Sequence, residues 1–368
     1  MMGIDSIASK LRGGERLDFE DAVLLFRNPN LYALGRLADE ARRRRHGRAA
    51  YYVRNVHLNY TNVCVFDCHF CSFYRKEGQA GAWEMDLPTV FAYAARARRQ
   101  NLSEVHIVGG VHPRLPYSYY LEMLRGLKER YPELHLKAFT ATEIDHLSRI
   151  AGLPVAQVLR DLKEAGLDSL PGGGAEIFAD RVWNQICSGK ARPERWLEIH
   201  RAAHSLGLRS TATMLYGHIE SDEERVDHML RLRELQDETG GFTAFIPLAY
   251  HPDNNRLSPL GRPTALTDLK VHAVARLFLD NFDHIKAYWI MTGLPMAQLL
   301  LSWGVDDLDG TVVEERIVHM AGADSPHGVE EGRLRGLIRE AGYEPVLRDT
   351  LYRSLEKPVG MAPACSRT

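Results

Sequence analysis

The chain has 368 residues, of which 45% are hydrophobic and 26% charged, with a formal net charge of −2. This composition is ordinary for a soluble globular protein and provides for one large core. It excludes a polycation built to coat nucleic acid, and no apolar run approaches the roughly 18 residues of a membrane span.

Residues 1–10 lack the long apolar core of a signal peptide. The expectation is therefore a cytoplasmic protein whose clustered cysteines hold metal instead of forming disulfides. Residues 1–50 read as a helical lead-in. Apolar residues recur at helical spacing over 18–27 and 31–45, with Asn28-Pro29-Asn30 as the break. The basic run Arg42-Arg-Arg-Arg45-His46-Gly47-Arg48 reads as a solvated helix end, where cations complement the helix dipole.

From residue 51 the pattern alternates. β-Rich runs at 56–60, 104–108, 134–139, 169–170, 210–215, 242–247, 284–290 and, least regular, 304–308 are separated by amphipathic stretches. The clearest stretches are 87–101, 117–131, 155–165, 192–206, 222–239 and 266–282. Ser221 and Glu224 form a capping box. Strand–helix alternation predicts parallel strands, and eight units over about 250 residues predict an α/β fold, a (β/α)8 TIM-type barrel over residues 51–310. An open six-stranded partial barrel is the alternative. Residues 311–368, with a helix at 330–340 and an extended piece at 344–351, read as a C-terminal cap and tail.

Barrel chemistry lies at the C-terminal ends of the strands, and the polar motifs fall there. Three of the five cysteines follow the first strand in Asn59-Tyr-Thr-Asn-Val-Cys64-Val-Phe-Asp-Cys68-His-Phe-Cys71. Three thiolates can hold three irons of a cubane cluster and leave the fourth iron open to a molecule. A structural zinc site is the competing reading. Zinc prefers paired Cys-x2-Cys units or a Cys/His quartet, and only His69 is at hand. Cys187 reads as a small buried hydrophobe, and Cys365 falls in a polar tail. Pro171-Gly-Gly-Gly-Ala-Glu176 lacks the residues of a P-loop. It reads as a loop of close backbone approach, with Glu176 aimed inward or capping the next helix.

The cysteine loop resembles the Cys-x3-Cys-x-aromatic-Cys signature of the radical S-adenosylmethionine (SAM) superfamily. The resemblance implies a 4Fe-4S cluster on Cys64, Cys68 and Cys71, with SAM chelating the open iron as the source of a 5′-deoxyadenosyl radical. It further implies SAM contacts from Phe70 near adenine, Gly109 and Gly110 at the methionine amino group, and Thr142 and Glu143 at the ribose. Gly217 and Glu220 fall in an adenine-contacting stretch, where Thr213 replaces the usual first glycine, and Glu176 falls in the mouth. Equal alternatives are a tight turn at Gly109-Gly110 and a helix N-terminal acid at Glu143.

Asn59 to Cys64, Ser72-Phe-Tyr-Arg75, residues 171–176 and 235–247, and Asp306-Asp-Leu-Asp-Gly-Thr311 resemble a narrower group. It comprises two radical SAM enzymes of futalosine-dependent menaquinone synthesis and a deazaflavin synthase subunit. Phe245-Ile-Pro-Leu-Ala-Tyr-His251-Pro-Asp-Asn254 and Val318-His319-Met-Ala-Gly-Ala323 are similar to the aminofutalosine (aminodeoxyfutalosine) synthase family. Tyr250 and Asn255 depart from its usual phenylalanine and threonine.

That resemblance implies a transferase that uses SAM as cosubstrate. The radical adds to the chorismate-derived enol ether 3-(1-carboxyvinyloxy)benzoate, and rearrangement with decarboxylation gives 6-amino-6-deoxyfutalosine. An electron donor such as flavodoxin or ferredoxin is implied, with no nucleic-acid or membrane partner. His251, Asn254, Arg75, His218 and His319, together with His112, are candidates to face the substrate. For each histidine a hydrogen-bonding structural role is the alternative. Two other functions stay open: the sister cyclase, which abstracts hydrogen from dehypoxanthine futalosine and closes a spiro ring, and a non-enzymatic metal-binding protein.

Overall fold

In the computed structural model, residues 3–99, 102–187 and 189–355 are described. Strands β1 (Ala49–Val53), β2 (Asn55–Leu58), β3 (Glu104–Ile107), β4 (His135–Ala138), β5 (Ser169–Leu170), β6 (Arg209–Tyr216), β7 (Phe242–Ala249), β8 (His284–Ile285), β9 (Asp307–Gly310) and β10 (Glu344–Leu347) alternate with helices. β2 to β8 form one sheet in sequence order, and every pairing in it is parallel. Parallel neighbours need crossovers. Helices such as Leu87–Arg99, Tyr117–Arg130, Val155–Ala165, Pro193–Ser205, Asp222–Thr239 and Ala265–Phe278 supply them.

A second sheet has the order β10-β1-β9 and lies across the edges of the first. Ala287 N–H donates to Asp307 O (2.9 Å) on the β8 side. Thr311 N–H donates to Val53 O (3.1 Å), and His57 N–H to Val313 O (3.0 Å), on the other side. The curled seven-stranded sheet is thus bridged at both edges by the segment around β9. The eighth run, expected at 304–308, forms three residues later.

The expected strand at 284–290 stops at Ile285, and Trp289–Thr292 is helical. Trp289 is buried there with its Nε1–H on Gly310 O at 2.8 Å, which turns the chain away from the sheet. A helix at Ala141–Ala151 follows β4 directly, started by a capping box between Thr140 and Glu143. The Ser221–Glu224 capping box forms as expected.

The basic run is a correction. Arg43 and Arg44 pair with Asp39 and Glu40 one turn back, but Arg42 is fully buried. Its guanidinium donates to Val305 O (3.3 Å), Gly47 O (2.7 Å) and Ala49 O, and it lies 4.1 Å from the Tyr343 ring centroid. Carbonyls left over at the end of the helix and the start of β1 require that donor. Inside the barrel, where branched apolar residues are usual, the buried charges of Glu104 and Lys137, and of Lys286 and Asp309, face each other in pairs.

Candidate active site

The cysteine loop is held by backbone bonds before any ligand arrives. Arg75 N–H donates to Asn62 O (2.8 Å), Cys64 N–H to Arg75 O (3.0 Å) and Val65 N–H to Val111 O (2.9 Å). Lys76 Nζ reaches the carbonyls of Cys64, Val65 and Phe66 at 3.2, 2.8 and 3.0 Å. On the far side of the loop, His69 N–H donates to Ile186 O, and His69 O accepts from Arg256 N–H. Gly110 is needed for this packing, since a Cβ would lie 2.4 Å from Val63 O.

Cys64, Cys68 and Cys71 are free thiols. Burial pushes Cys68 up to about 12, against the pull of Lys190. Burial also raises Cys64, opposed by the N–H groups of Val111 and Phe66, and Cys71, opposed by those of Tyr74 and Phe73. The Val111 N–H lies 3.4 Å from Cys64 Sγ. Such N–H groups suit sulfurs that become thiolates when iron supplies the compensating charge.

The donor set fits a cluster better than a single ion. Among the described residues, the only trio of ligand-type side chains with donor atoms within 4.8 Å of one another is His46, His284 and Asp306. Arg276 already pairs with that aspartate. The three cysteine sulfurs are not drawn together as a tetrahedral zinc, with sulfurs about 3.8 Å apart, would require. A cubane, in which each cysteine takes a different iron, spaces its ligands more widely.

Beside the loop opens a cavity of about 270 Å³, lined by Phe70, Cys71, Ser72, Glu176 and His251 among others. Its walls include Leu215, Ile246, Leu248, Met291, Ile317 and Val318. A second, more open pocket shares Cys71 and Ser72 and carries Cys68, Arg75 and Asn254. Seven of the expected site residues, Cys68, Phe70, Cys71, Arg75, Glu176, His251 and Asn254, therefore line these two pockets.

His251 is buried, with Nε2 on Met291 O at 2.9 Å and Nδ1 unpartnered. That bond makes Nε2 the protonated nitrogen and leaves the Nδ1 lone pair free. Asn254 sits at φ 60° with its amide on Met320 O (3.0 Å), and Arg75 donates to the carbonyls of Ser72 and Tyr74.

Others are occupied inside the protein. Glu143 accepts from Tyr60 OH (2.8 Å), Gly109 N–H (3.1 Å), Thr140 N–H (2.7 Å) and Thr140 OH (2.8 Å). This geometry matches the helix-start reading of Glu143, and Thr142 Oγ1, buried without a partner, is the open polar group beside it. Glu220 accepts from the N–H groups of Gly217 (2.6 Å) and His218 (2.8 Å) and from Arg225 (2.7 Å). His218 bonds Leu215 O (3.0 Å) and Ile219 N–H (2.7 Å) through its two ring nitrogens. His319 is held by Glu315 and by Ser325 O, both at 2.9 Å, and the Glu315 bond raises its pKa. His112 accepts from Arg114 and Leu115 N–H and lies 2.8 Å from Glu84.

Sequence reasoning missed Lys190. It is buried and forms an ion pair with Glu176, which points inward. It also lies 5.2 Å from the Phe70 ring and 5.0 Å from the Trp183 ring. Burial opposes its charge, and Cys187, Glu176 and Cys68 outweigh that penalty, so its pKa lies above the ordinary lysine value. Cys187 is buried as expected, but beside this lysine. Cys365 lies outside the described residues.

Residues 58–232 match the radical SAM superfamily, and residues 239–361 match the CofH/MqnC C-terminal region. The chain is 52% identical to an aminodeoxyfutalosine synthase of Thermus thermophilus, over 95% of each chain. It is 46% identical to one of Streptomyces coelicolor, over 97% of this chain and 95% of the other. It is 39% identical to a cyclic dehypoxanthine futalosine synthase of Streptomyces coelicolor, over 96% of this chain and 89% of the other. The crystal structure of methylornithine synthase superposes with a TM-score of 0.73 at 15% identity, covering 92% of this chain and 97% of the other, a likeness of fold alone. The chain belongs to the radical SAM superfamily, whose members take SAM and a 4Fe-4S cluster, in the branch with a CofH/MqnC C-terminal region that includes the aminodeoxyfutalosine synthases.

Proposed function

We propose that this chain joins the adenosyl group of SAM to 3-(1-carboxyvinyloxy)benzoate, releasing methionine and carbon dioxide and yielding 6-amino-6-deoxyfutalosine. The observation that carries the reading is the cysteine loop opening onto an apolar-walled cavity through Cys71, in a chain 52% identical to an aminodeoxyfutalosine synthase. Cys64, Cys68 and Cys71 would hold the cluster. With SAM in place, that group supplies a 5′-deoxyadenosyl radical.

The chain's own residues have three tasks. The Lys190–Glu176 pair, beside Phe70 at the loop end of the cavity, offers both signs of charge to the amino and carboxylate groups of SAM. The apolar walls keep water from reactive carbon. His251, on the cavity wall, keeps a free Nδ1, fixed in direction by Met291 O, as an acceptor for a ligand.

The test is an anaerobic incubation of reconstituted, reduced protein with SAM and the enol ether, followed by mass spectrometry. An adenosyl adduct that has lost carbon dioxide is the expected product. Free 5′-deoxyadenosine with no adduct, or a spiro-ring product in a parallel incubation with dehypoxanthine futalosine in place of the enol ether, would overturn the assignment.

A further inference from the structure

The floor of the cavity carries a row of basic side chains without a role so far. His57 on β2, His106 on β3 and Lys137 on β4 are register partners across three adjacent strands. The pleat turns all three to one face, and all three line the cavity. His57 and His106 stack at 4.5 Å with planes 13° apart, and the Tyr288 ring lies parallel to His57 within 9° at 6.3 Å. Burial lowers the pKa of both imidazoles, so the neutral pair does not repel a neighbouring ammonium.

Lys137 is 4% exposed and, among the described residues, is the one lysine or arginine lining this cavity. Its Nζ lies 2.7 Å from Glu104 Oε1, and the other oxygen of that acid accepts from Thr350 OH at 2.7 Å. An ammonium has three N–H donors, so one ion pair leaves two for a ligand. The facing acids have partners of their own. Asp309 lies 3.4 Å from Lys286 Nζ, and Glu315 takes the Val318 N–H and His319 Nδ1, each at 2.9 Å. Phe70, Cys71 and Ser72, on the loop that follows the C-terminal end of β2, line the same cavity. A ligand spanning it would have one end at the cysteine loop and the other at Lys137.

We propose that Lys137 anchors the ring carboxylate of an aromatic acid substrate, with the ring against the Tyr288–His57–His106 wall and the reactive substituent toward the cysteine loop. This rests on the function proposed above and deepens it. The carboxylate that the reaction retains is assigned to the floor, and the one that leaves is placed near the mouth.

The test uses reconstituted protein with SAM and two unreactive probes, 3-methoxybenzoate and 3-methoxybenzamide, titrated by calorimetry. The wild type should prefer the carboxylate by about 10- to 100-fold, the worth of a charge-assisted hydrogen bond. Lys137→Gln should lose that preference, with SAM affinity by the same calorimetry and iron content unchanged. Because Lys137→Gln leaves Glu104 buried without its ion pair, the double variant Glu104→Gln/Lys137→Gln keeps the floor neutral should the single variant fail to fold. A wild type with no preference, or a folded variant that keeps the wild-type preference, overturns the anchor. Failure of the underlying function reads differently, as wild-type protein that makes no adenosyl adduct from the enol ether.

Discussion

Lys190 and Glu176 come from different stretches of chain and meet only in the fold, which separates them from the cysteines in legibility. Cys64, Cys68 and Cys71 are visible in the sequence because cluster chemistry demands short spacing on one loop. A lone lysine after Gly189 carries no periodic mark, and its burial is set by Phe70 and Trp183. Glu143, Glu220, His218 and His319 show the converse. Residue type and location suggested a site, but neighbours within six residues, joined for Glu143 by Tyr60 and Gly109, take up their hydrogen bonds. The ion pair makes a discriminating prediction. Lys190→Met strands a buried carboxylate, which costs about 3–5 kcal/mol. Adding Glu176→Gln should recover most of that stability in urea titrations. SAM affinity, measured by equilibrium binding to reconstituted protein, should stay weakened in both variants if the pair serves the ligand. Recovery of affinity along with stability would make the pair structural only.

The helices were legible where a period or a cap marks them, the apolar period ending at Gly166 for Val155–Ala165 and the Ser221–Glu224 capping box for Asp222–Thr239. Legibility failed where tertiary contacts redirect the chain, as at Trp289, and where a charged residue is buried, as at Arg42. Arg42→Ala leaves three carbonyls without their donor, and it should lower unfolding stability by about 2–4 kcal/mol. Arg44→Ala, on the exposed face of the same helix, should change it by less than about 0.5 kcal/mol. Equal effects in denaturant titrations would contradict the burial of Arg42. The helix Ala265–Phe278 carries a pH-dependent term at Asp268. Burial raises its carboxyl to about 6, opposed by a 2.7 Å bond from Tyr216 OH. The folded state therefore holds this proton more tightly than the unfolded chain does, and stability falls as pH rises from about 4 to about 6. Asp268→Asn has no such proton, so its stability relative to wild type should rise across that window by up to about 3 kcal/mol and level off above it. A difference that is flat with pH would show that Asp268 titrates normally.

At the scale of the whole molecule, the question is whether the C-terminal segment is an appendage or part of the barrel. We propose the latter, a cap that folds with residues 51–310 as one unit. β10 pairs with β1 from Ala49–Glu344 to Tyr52–Leu347, and β1 in turn pairs with β9, which bridges the edges of the large sheet. Side chains repeat the connection. Thr350 OH reaches Glu104 on β3, and Tyr343 OH reaches Asp39 (2.8 Å) on the N-terminal helix Leu31–His46. Arg348, 1% exposed, donates to Asp307 at 2.5 Å. None of these pairings has a local signature, because Arg348 and Asp307 stand 41 positions apart and the others more than two hundred. The sequence therefore marks a terminal helix and strand without marking what they close. Arg348→Met would leave Asp307 buried without its cation, at a cost of about 3–5 kcal/mol. If barrel and cap unfold together, native-state hydrogen exchange should show the same loss of protection for the slowest amides of β3, β4 and β10, with a single urea transition moved to lower concentration. Loss confined to β10, with β3 and β4 unchanged, would mean that the cap opens by itself and that the closure around β9 does not depend on it.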